Sequence, residues 1–552
     1  MKADQIIKNA IIFTSDIDHP QATALAVKDG MFVYVGDEAG LSDFEGEVTD
    51  LGGKFIMPGI IDSHVHVTIG AAFDYTDVGE FVLCDSKQKA LAFMADFIKN
   101  NPGLERYRFY MEKASLNGED LVKEELDAIC PDSELVILEG ECHSAWVNSK
   151  VLDKHGITYE TPDPAPGLSY YVRKDGKLTG NAFEAAAWRF LFDHLRDNLT
   201  DEMIDASISR WIEYCQKMGV SAVFDAGFPE HNWLQEKFYS YMREMDKQGR
   251  LPVYVDGSYF LTNWNEVKEA IEETKRFSRE FNTEHLKVHT LKLYMDGTMK
   301  IRTASMLTPY EGTDELGAET YNKEEIAEII KELNEAGLDL HVHTVGERAS
   351  RIILDGVELA RQDLGDDFRV KVTCAHLEVQ HDDDLDRFGK LGVIANYTPW
   401  WHTGYVGEVL SALLGEKRAT TMYRCKSVWD SGALVTWSSD NVAYQDFATW
   451  NPYLGMEIGM TRWLCEKTNA PEIYRMDQSF PPADEKMSIE EMILGYTING
   501  AKQLGVEDSK GSIEAGKDAD FLVFDNDLLA AEPAGFSYNE PLEVYFGGKK
   551  MK

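Results

Sequence analysis

Pro58-Gly59-Ile60-Ile61-Asp62-Ser63-His64-Val65-His66 is an apolar run that ends in two histidines two residues apart. It reads as the end of a strand spanning Ile56–Val67. On a strand, residues i and i+2 point to the same side. Two imidazoles placed this way can reach one metal ion, at about 2.0–2.1 Å for zinc. A pair of buried, hydrogen-bonded histidines is the plainer alternative, and an isolated H-x-H motif favours it.

Working outward, seven more short apolar runs follow. They are Ser221–Ala226, Pro252–Gly257, Thr290–Met295, Leu338–His343, Val370–Glu378, Val393–Thr398 and Ala433–Ser438. Helix-length amphipathic stretches such as Asn322–Ala336 and Arg348–Leu364 lie between them. Alternating strands and helices give parallel βα units, and eight of them suggest a closed barrel. Both ends of the chain look different. Ile6–Phe13 and Met31–Gly36 are β-rich near one end, and Phe521–Phe524 and Leu542–Phe546 near the other. These segments can pair into one sandwich. The connection after the first strand is too long for a simple crossover and holds strands and helices of its own. The expected fold is α/β: a (β/α)8 TIM barrel, a composite β-sandwich from both termini, and an inserted α+β domain after the first barrel strand. The expected boundaries are 1–57 with 500–552 for the sandwich, 58–71 with 191–499 for the barrel, and 72–190 for the insertion.

The H-x-H pair does not stand alone. His343 and His376 end the fifth and sixth expected strands, and Asp440 follows the last in Val435-Thr436-Trp437-Ser438-Ser439-Asp440. Each sits where a barrel strand meets its βα loop, the face on which such enzymes do chemistry. Four histidines and an aspartate converging there are hard to explain as core filling. Lys292 lies within the fourth strand, where an unpaired lysine is expensive. It can reach a carboxylate, be carbamylated and bridge two cations, or pack its stem and send its tip to solvent.

Bulk composition narrows the class. The chain has 552 residues, 44% of them hydrophobic and 27% charged, with a formal net charge of −40. That length suits several domains and a large core. The acidic balance and the absence of a basic block argue against nucleic acid and against an anionic membrane surface. Seven cysteines are scattered without a C-x-x-C pair, as in a reducing compartment. The first residues lead into strands, not into a signal-peptide core, and no apolar run approaches the roughly 20 residues of a membrane span. A cytoplasmic protein with a small-molecule partner is expected, with a homodimer left open.

Longer stretches carry a resemblance. They include Met57–His66, Gly140-Glu141-Cys142-His143-Ser144-Ala145-Trp146-Val147-Asn148-Ser149, Leu178-Thr179-Gly180 and Lys292-Leu293-Tyr294-Met295-Asp296-Gly297-Thr298 with Arg302-Thr303-Ala304. His343–Ala349, Ser439-Asp440, Thr497–Ala501 and Gly511–Asp520 complete the set. In this order, over nearly the whole chain, they resemble the amidohydrolase superfamily and its YtcJ-like (amidohydrolase 3) branch. The resemblance implies a barrel with a composite sandwich and hydrolysis of a non-peptide C–N bond. It implies one or two divalent cations, zinc being expected, held by His64, His66, His343 and His376, with Asp440 as ligand and general base. It also implies a carbamylated Lys292 as bridging ligand, and His343 or Arg302 as donor to a tetrahedral intermediate. The chain departs from the family pattern at Glu347, where Asp is usual. It departs again at Val372-Thr373-Cys374-Ala375, where an Arg-x-Glu lead-in is usual, and after Asp440, where Asn441 replaces a proline.

Secondary candidates surround this set. His143 is a candidate substrate contact from the inserted segment, against a structural histidine. Glu184 is an alternative carboxylate ligand, against the start of an amphipathic helix over Ala182–Trp188. Trp437, with Trp400, Trp401, His402 and Tyr444, borders late strands and is a candidate to shape a substrate pocket. His341 is expected to alternate with His343, face away and be structural. Two rival functions stay open: deamination on the same scaffold, and a barrel that only binds. A serine-nucleophile hydrolase is weaker, because Gly257-Ser258-Tyr259 forms no G-x-S-x-G.

Overall fold

The computed structural model describes the chain except residues 76–78, 83, 112–115, 117–118, 140–141, 166, 262–263, 404–406, 443–449, 471 and 473–474. Eight strands form its central sheet. They are β1 (Ile60–Val65), β2 (Val220–Asp225), β3 (Tyr254–Phe260), β4 (Leu286–Tyr294), β5 (Asp339–Thr344), β6 (Val372–His376), β7 (Ile394–Tyr397) and β8 (Val435–Trp437). Neighbours follow chain order from β1 to β8, and every pair is parallel. The two edge strands meet just beyond the end of β8. The Asp440 N–H donates to the His64 carbonyl at 2.9 Å, and the His66 N–H to the Asn441 carbonyl at 3.0 Å. The sheet is therefore a nearly closed (β/α)8 barrel.

The expected first strand, Ile56–Val67, is in fact two. Phe55–Pro58 and Ile60–Val65 belong to different sheets. The switch is made at Gly59: its N–H donates to Asp520 O, whereas the next N–H, of Ile60, donates to Gly219 O in the barrel. Ile6–Phe13 divides likewise at Asn9, whose φ is 54°, into Lys2–Lys8 and Ile11–Phe13.

Phe55–Pro58 joins the termini. It pairs antiparallel with Phe521–Phe524 and parallel with Ile11–Phe13 in a six-stranded sheet. A four-stranded sheet of N-terminal strands packs on it. Leu25, Val27, Phe32, Ile56, Phe521 and Tyr545 fill the interface, and the rings of Phe521 and Tyr545 stack 4.3 Å apart. The long first connection carries a mixed six-stranded sheet over Gly79–Phe183, with helices Lys87–Asn100, Lys123–Ile129 and Ser149–Lys154. Among the described residues no helix is long and apolar enough to cross a membrane.

Helix Asp201–Met218 shows how the barrel is wired. Thr200 caps its first turn, accepting the Met203 N–H. Ile204, Ile208, Trp211, Cys215 and Met218 recur at helical spacing and are buried. Gly219 then turns left-handed at φ 80° and hands the chain to β2 one residue later. A side chain at Gly219 would also meet Leu522 Cδ2 of the sandwich at 2.4 Å.

Gly219→Ala is therefore expected to lower the apparent thermal midpoint more than Gly156→Ala. Gly156 shares the left-handed turn, at φ 63°, but has open space around it. The backbone cost, about 1–2 kcal/mol, is common to both. Overpacking against Leu522, about 1–3 kcal/mol, applies to one. Equal midpoints by differential scanning fluorimetry would show that the helix, strand and sandwich are not packed this tightly.

Candidate metal centre

At the C-terminal end of the barrel the strands deliver a ring of imidazoles. His64 ends near the rim of β1 and His66 follows it; both are buried. His343 lies on β5 and His376 closes β6. Ring centroids are 5.4 Å apart for His64 and His66, 5.0 Å for His64 and His376, and 4.4 Å for His343 and His376. Asp440 enters from beyond β8. Its Oδ1 lies 3.2 Å from His64 Nε2 and 3.4 Å from His66 Nε2, and its Oδ2 lies 3.8 Å from His376 Nδ1. Lys292, on β4, is 1% exposed.

The surroundings fix which ring nitrogen each histidine offers. His66 Nδ1–H donates to Gly227 O at 2.9 Å, so Nε2 is the nitrogen that faces Asp440. His343 Nε2–H donates to Gly297 O at 3.3 Å, leaving Nδ1. His64 Nδ1 lies 2.9 Å from His341 Nε2. If His64 keeps a lone pair on Nε2, its Nδ1–H is the donor, and His341 orients it from behind.

That contact corrects the expectation for His341. Residues 341 and 343 are two apart and so share a side of the strand, by the same rule that pairs His64 with His66. The His341 ring stacks on Phe224 at 4.4 Å inside the barrel, and Lys292 sits opposite His341 in register across β4 and β5.

Asp440 is held through the residue before it. Asp62 accepts the Ser439 N–H at 3.0 Å and the Ser439 hydroxyl at 2.6 Å, fixing the residue before it. Burial pushes the Asp62 carboxyl up to about 6. Asp440 itself takes a φ of 47°, His376 79° and Leu377 48°. Left-handed φ values on non-glycine residues are costly and cluster at functional sites. Asp296, pushed up to about 7 by burial, accepts the N–H groups of Ser305, Val345 and Gly346 at 2.8–2.9 Å. It ties the loop after β4 to the loop after β5.

The donor set fits a cation. His64 Nε2, His66 Nε2 and an Asp440 oxygen offer ligand atoms all within 4.8 Å of one another. Two donors on a tetrahedral zinc-type ion lie about 3.4 Å apart, for bonds near 2.1 Å. Four buried polar atoms here lack a hydrogen-bond partner: His64 Nε2, His376 Nδ1, Lys292 Nζ and Asp440 Oδ1. Such orphans are expensive unless something unites them. Burial holds His64, His341, His343 and His376 well below the ordinary imidazole value, with the Lys292 charge adding to the effect at each. They are neutral and able to ligate. Burial works to raise the Asp440 carboxyl, but His66, His376 and Lys292 outweigh it and bring the group down to about 2.

Other expected residues are not gathered here. Arg302 is exposed, with its guanidinium on Glu315 at 3.1 Å, so it is not placed to stabilise charge at the histidine ring. Trp437 is fully buried and faces outward; its Nε1–H donates to Glu491 O at 3.3 Å on helix Ile489–Gly495. Its neighbour Thr436 points the other way, accepting from Asn396 Nδ2 at 2.9 Å, and alternation turns Trp437 from the pocket. Trp401 does reach the site, stacked on His376 at 5.1 Å. His402 packs on Tyr423, and Tyr444 lies outside the described residues. Glu184 is not a free ligand, since its two oxygens take His143 and Thr303. The helix expected from Ala182 starts only at Ala185, because Ala182 and Phe183 still belong to a strand.

The family model described as "Amidohydrolase family" matches residues 47–551. The chain belongs to the amidohydrolase family. This amidohydrolase is 26% identical to N-substituted formamide deformylase of Arthrobacter pascens, over 99% of this chain and 97% of that one. It is 25% identical to the putative amidohydrolase YtcJ of Bacillus subtilis (strain 168), over 100% and 99%. An uncharacterized metal-dependent hydrolase from Pyrococcus horikoshii OT3 shares its fold, with a TM-score of 0.66 at 22% identity, covering 96% of this chain and 99% of that one. Membership makes the protein a hydrolase of carbon–nitrogen bonds other than peptide bonds, and implies a divalent metal.

Lys292 yields a stability test. Burial lowers its ammonium from an ordinary 10.5 to about 7. Between those values the unfolded chain binds a proton that the folded chain releases, so stability rises with pH across that window. Below about pH 7 the folded state carries the buried charge and the penalty is complete. In metal-free protein, Lys292→Met is expected to raise the unfolding midpoint at pH 7, with the gain shrinking toward pH 10; in metal-loaded protein the same substitution is expected to abolish activity. A midpoint that falls at pH 7 would mean the amine is well satisfied.

Proposed function

We propose that this amidohydrolase cleaves the amide-like bond of a small molecule, using one or two zinc ions held by His64, His66, His343, His376 and Asp440. Lys292, once carbamylated, would add an anionic ligand to this set. The observation that carries this reading is the set of orphaned buried atoms at this end of the barrel, with His64 and His376 lying 3.2 Å and 3.8 Å from Asp440. When bound, such a cation supplies a Lewis acid and lowers the pKa of its water toward about 7.

The chain's own residues do the rest. Asp440 is ionised at neutral pH and takes the proton of the attacking water. The oxygen adds to the carbonyl carbon, and Asp440 returns the proton to the nitrogen as the C–N bond breaks, giving an acid and an amine. His341 steadies His64, and Asp62 and Ser439 steady Asp440. His343 belongs to the ligand set, and Arg302 is given no part. Burial leaves a share of Lys292 as neutral amine near pH 7, able to add to carbon dioxide with loss of one proton. The near full-length likeness to a protein named N-substituted formamide deformylase supports a formamide-like substrate. Seven free cysteines support a reducing, cytoplasmic setting.

Protein purified without chelator is expected to hold one to two equivalents of zinc or a similar cation by plasma mass spectrometry, and His64→Ala to hold less. A wild type that takes up none, even with zinc and bicarbonate added, sinks the mechanism. Asp440→Asn keeps the shape of the carboxylate but not its basicity. It is expected to lower kcat on an accepted amide by about 10²–10⁴-fold. A loss under twofold would remove Asp440 from the proton path.

A further inference from the structure

A second polar pair stands beside the histidine ring, and the inserted segment supplies both members. His143 precedes strand Ser144–Val147, and Glu184 follows strand Lys177–Phe183. These strands are hydrogen-bonded neighbours, with Ser144 opposite Phe183, so sheet pairing sets the two residues side by side. His143 Nδ1–H donates to Glu184 Oε2 at 2.6 Å, and the Glu184 N–H donates to His143 O at 2.7 Å. Thr303 Oγ1–H donates to the other carboxylate oxygen at 2.8 Å.

Glu184 is 1% exposed and sits at φ 54°, a left-handed conformation that a glutamate adopts only under constraint. Its carboxylate rests on Gly297, where any side chain would meet Oε1 at 2.1 Å. The walls beside it include Leu168, Phe260, Leu293 and Tyr321. A carboxylate in such a place is tolerated only with good partners. The His143 ring lies 5.8 Å from His343 and 6.4 Å from Tyr294, whose ring in turn packs on His343 at 4.7 Å.

We propose that His143 is a substrate-contacting residue of this hydrolase and that Glu184 is its positioning residue. The proposal rests on the reading of the site as a hydrolytic centre. Glu184, itself anchored by Thr303, fixes the plane of the His143 ring through Nδ1–H and turns its Nε2 away from that carboxylate. An amide bound beside His343 then has a protein hydrogen-bonding group on the side away from the barrel wall. The barrel holds the donors common to the chemistry, and the inserted segment orients the substrate. The substrate class is an amide with a polar atom within reach of Nε2.

The test uses metal-loaded full-length protein with 4-nitroformanilide as probe, and measures metal content, kcat and KM, and binding of acetohydroxamate by calorimetry. His143→Ala and Glu184→Ala are each expected to keep the wild-type metal content and to lose about 10²-fold in kcat/KM. The double variant is expected to lose no more than the worse single one, because Glu184 acts through His143. Glu184→Gln keeps an acceptor for Nδ1–H and is expected to recover most of the loss. Metal loss in either alanine variant, additive losses, or kcat/KM within threefold of wild type would overturn the proposal. A wild type that holds metal but leaves the formanilide intact counts against that substrate class instead. The pair is then judged by acetohydroxamate, which His143→Ala should bind about tenfold more weakly; equal binding overturns the pair's role.

Discussion

The closing seam of the barrel carries most of the weight in this molecule. Strand β8 is short, and the contact between the two edge strands is completed beyond its end by Ser439, Asp440 and Asn441. The Asp440 N–H binds the carbonyl of His64, and the His66 N–H binds the carbonyl of Asn441. The Ser63 hydroxyl adds a bond to Trp437 O at 2.6 Å. The backbone that shuts the barrel is thus the backbone that bears three candidate ligands. Their spacing is set by hydrogen bonds in the wall and does not wait for a metal to gather them. This is preorganisation in its plainest form, since a donor set held in place by the fold loses little freedom on binding.

Such a centre is a local liability that the rest of the chain must offset. Five imidazoles, an amine and a carboxylate are buried at this end of the barrel, and burial drives His64, His341, His343, His376 and the amine toward their neutral forms. Left-handed φ values at His376, Leu377 and Asp440 add backbone strain at the same rim. The offset lies in the apolar layer between strands and helices, where Trp211, Phe238, Ile330, Leu354 and Trp437 are wholly buried. Trp437 belongs to this layer and not to the pocket. Its indole packs the seam strand against its helix and so serves the site only by holding β8 in place.

Much of this was legible in the residues. The eight strands announce themselves as short apolar runs between amphipathic helices, and the positions of His64, His66, His343, His376 and Asp440 at strand ends follow from that register. The remainder has two causes. The expectations for His341 and Trp437 fail on strand alternation: the period of two along β5 places His341 with His343, and Thr436 on β8 places Trp437 outward. Other features depend on tertiary contacts that no local pattern encodes. The division of Ile56–Val67 at Gly59 depends on which sheet each N–H finds. The exposure of Arg302 and its pairing with Glu315 depend on the path of a long loop. The carboxylate of Glu184 looked like a ligand because its sequence context shows neither Thr303 nor the bare face of Gly297.

The placement of strain separates the two halves of the site. On the barrel side, left-handed residues mark the points where β6 ends and where the chain leaves β8. On the inserted side, Cys142 at φ 66° and Glu184 at φ 54° flank paired strands in the same way. In both halves a regular ladder runs up to the site and the chain turns left-handed at or within three residues of its end, so the ladder fixes position and the turn aims the side chain. The barrel rim is tied to itself through Asp296 and Asp62, whereas the inserted strands reach the rim through Glu184, Thr303 and Gly297. Gly297 O also receives the Nε2–H of His343. One short loop therefore links the ligand set to the substrate-facing pair. A change in how the inserted segment sits would be felt at His343 before it reached His64, His66 or Asp440, which the seam holds independently.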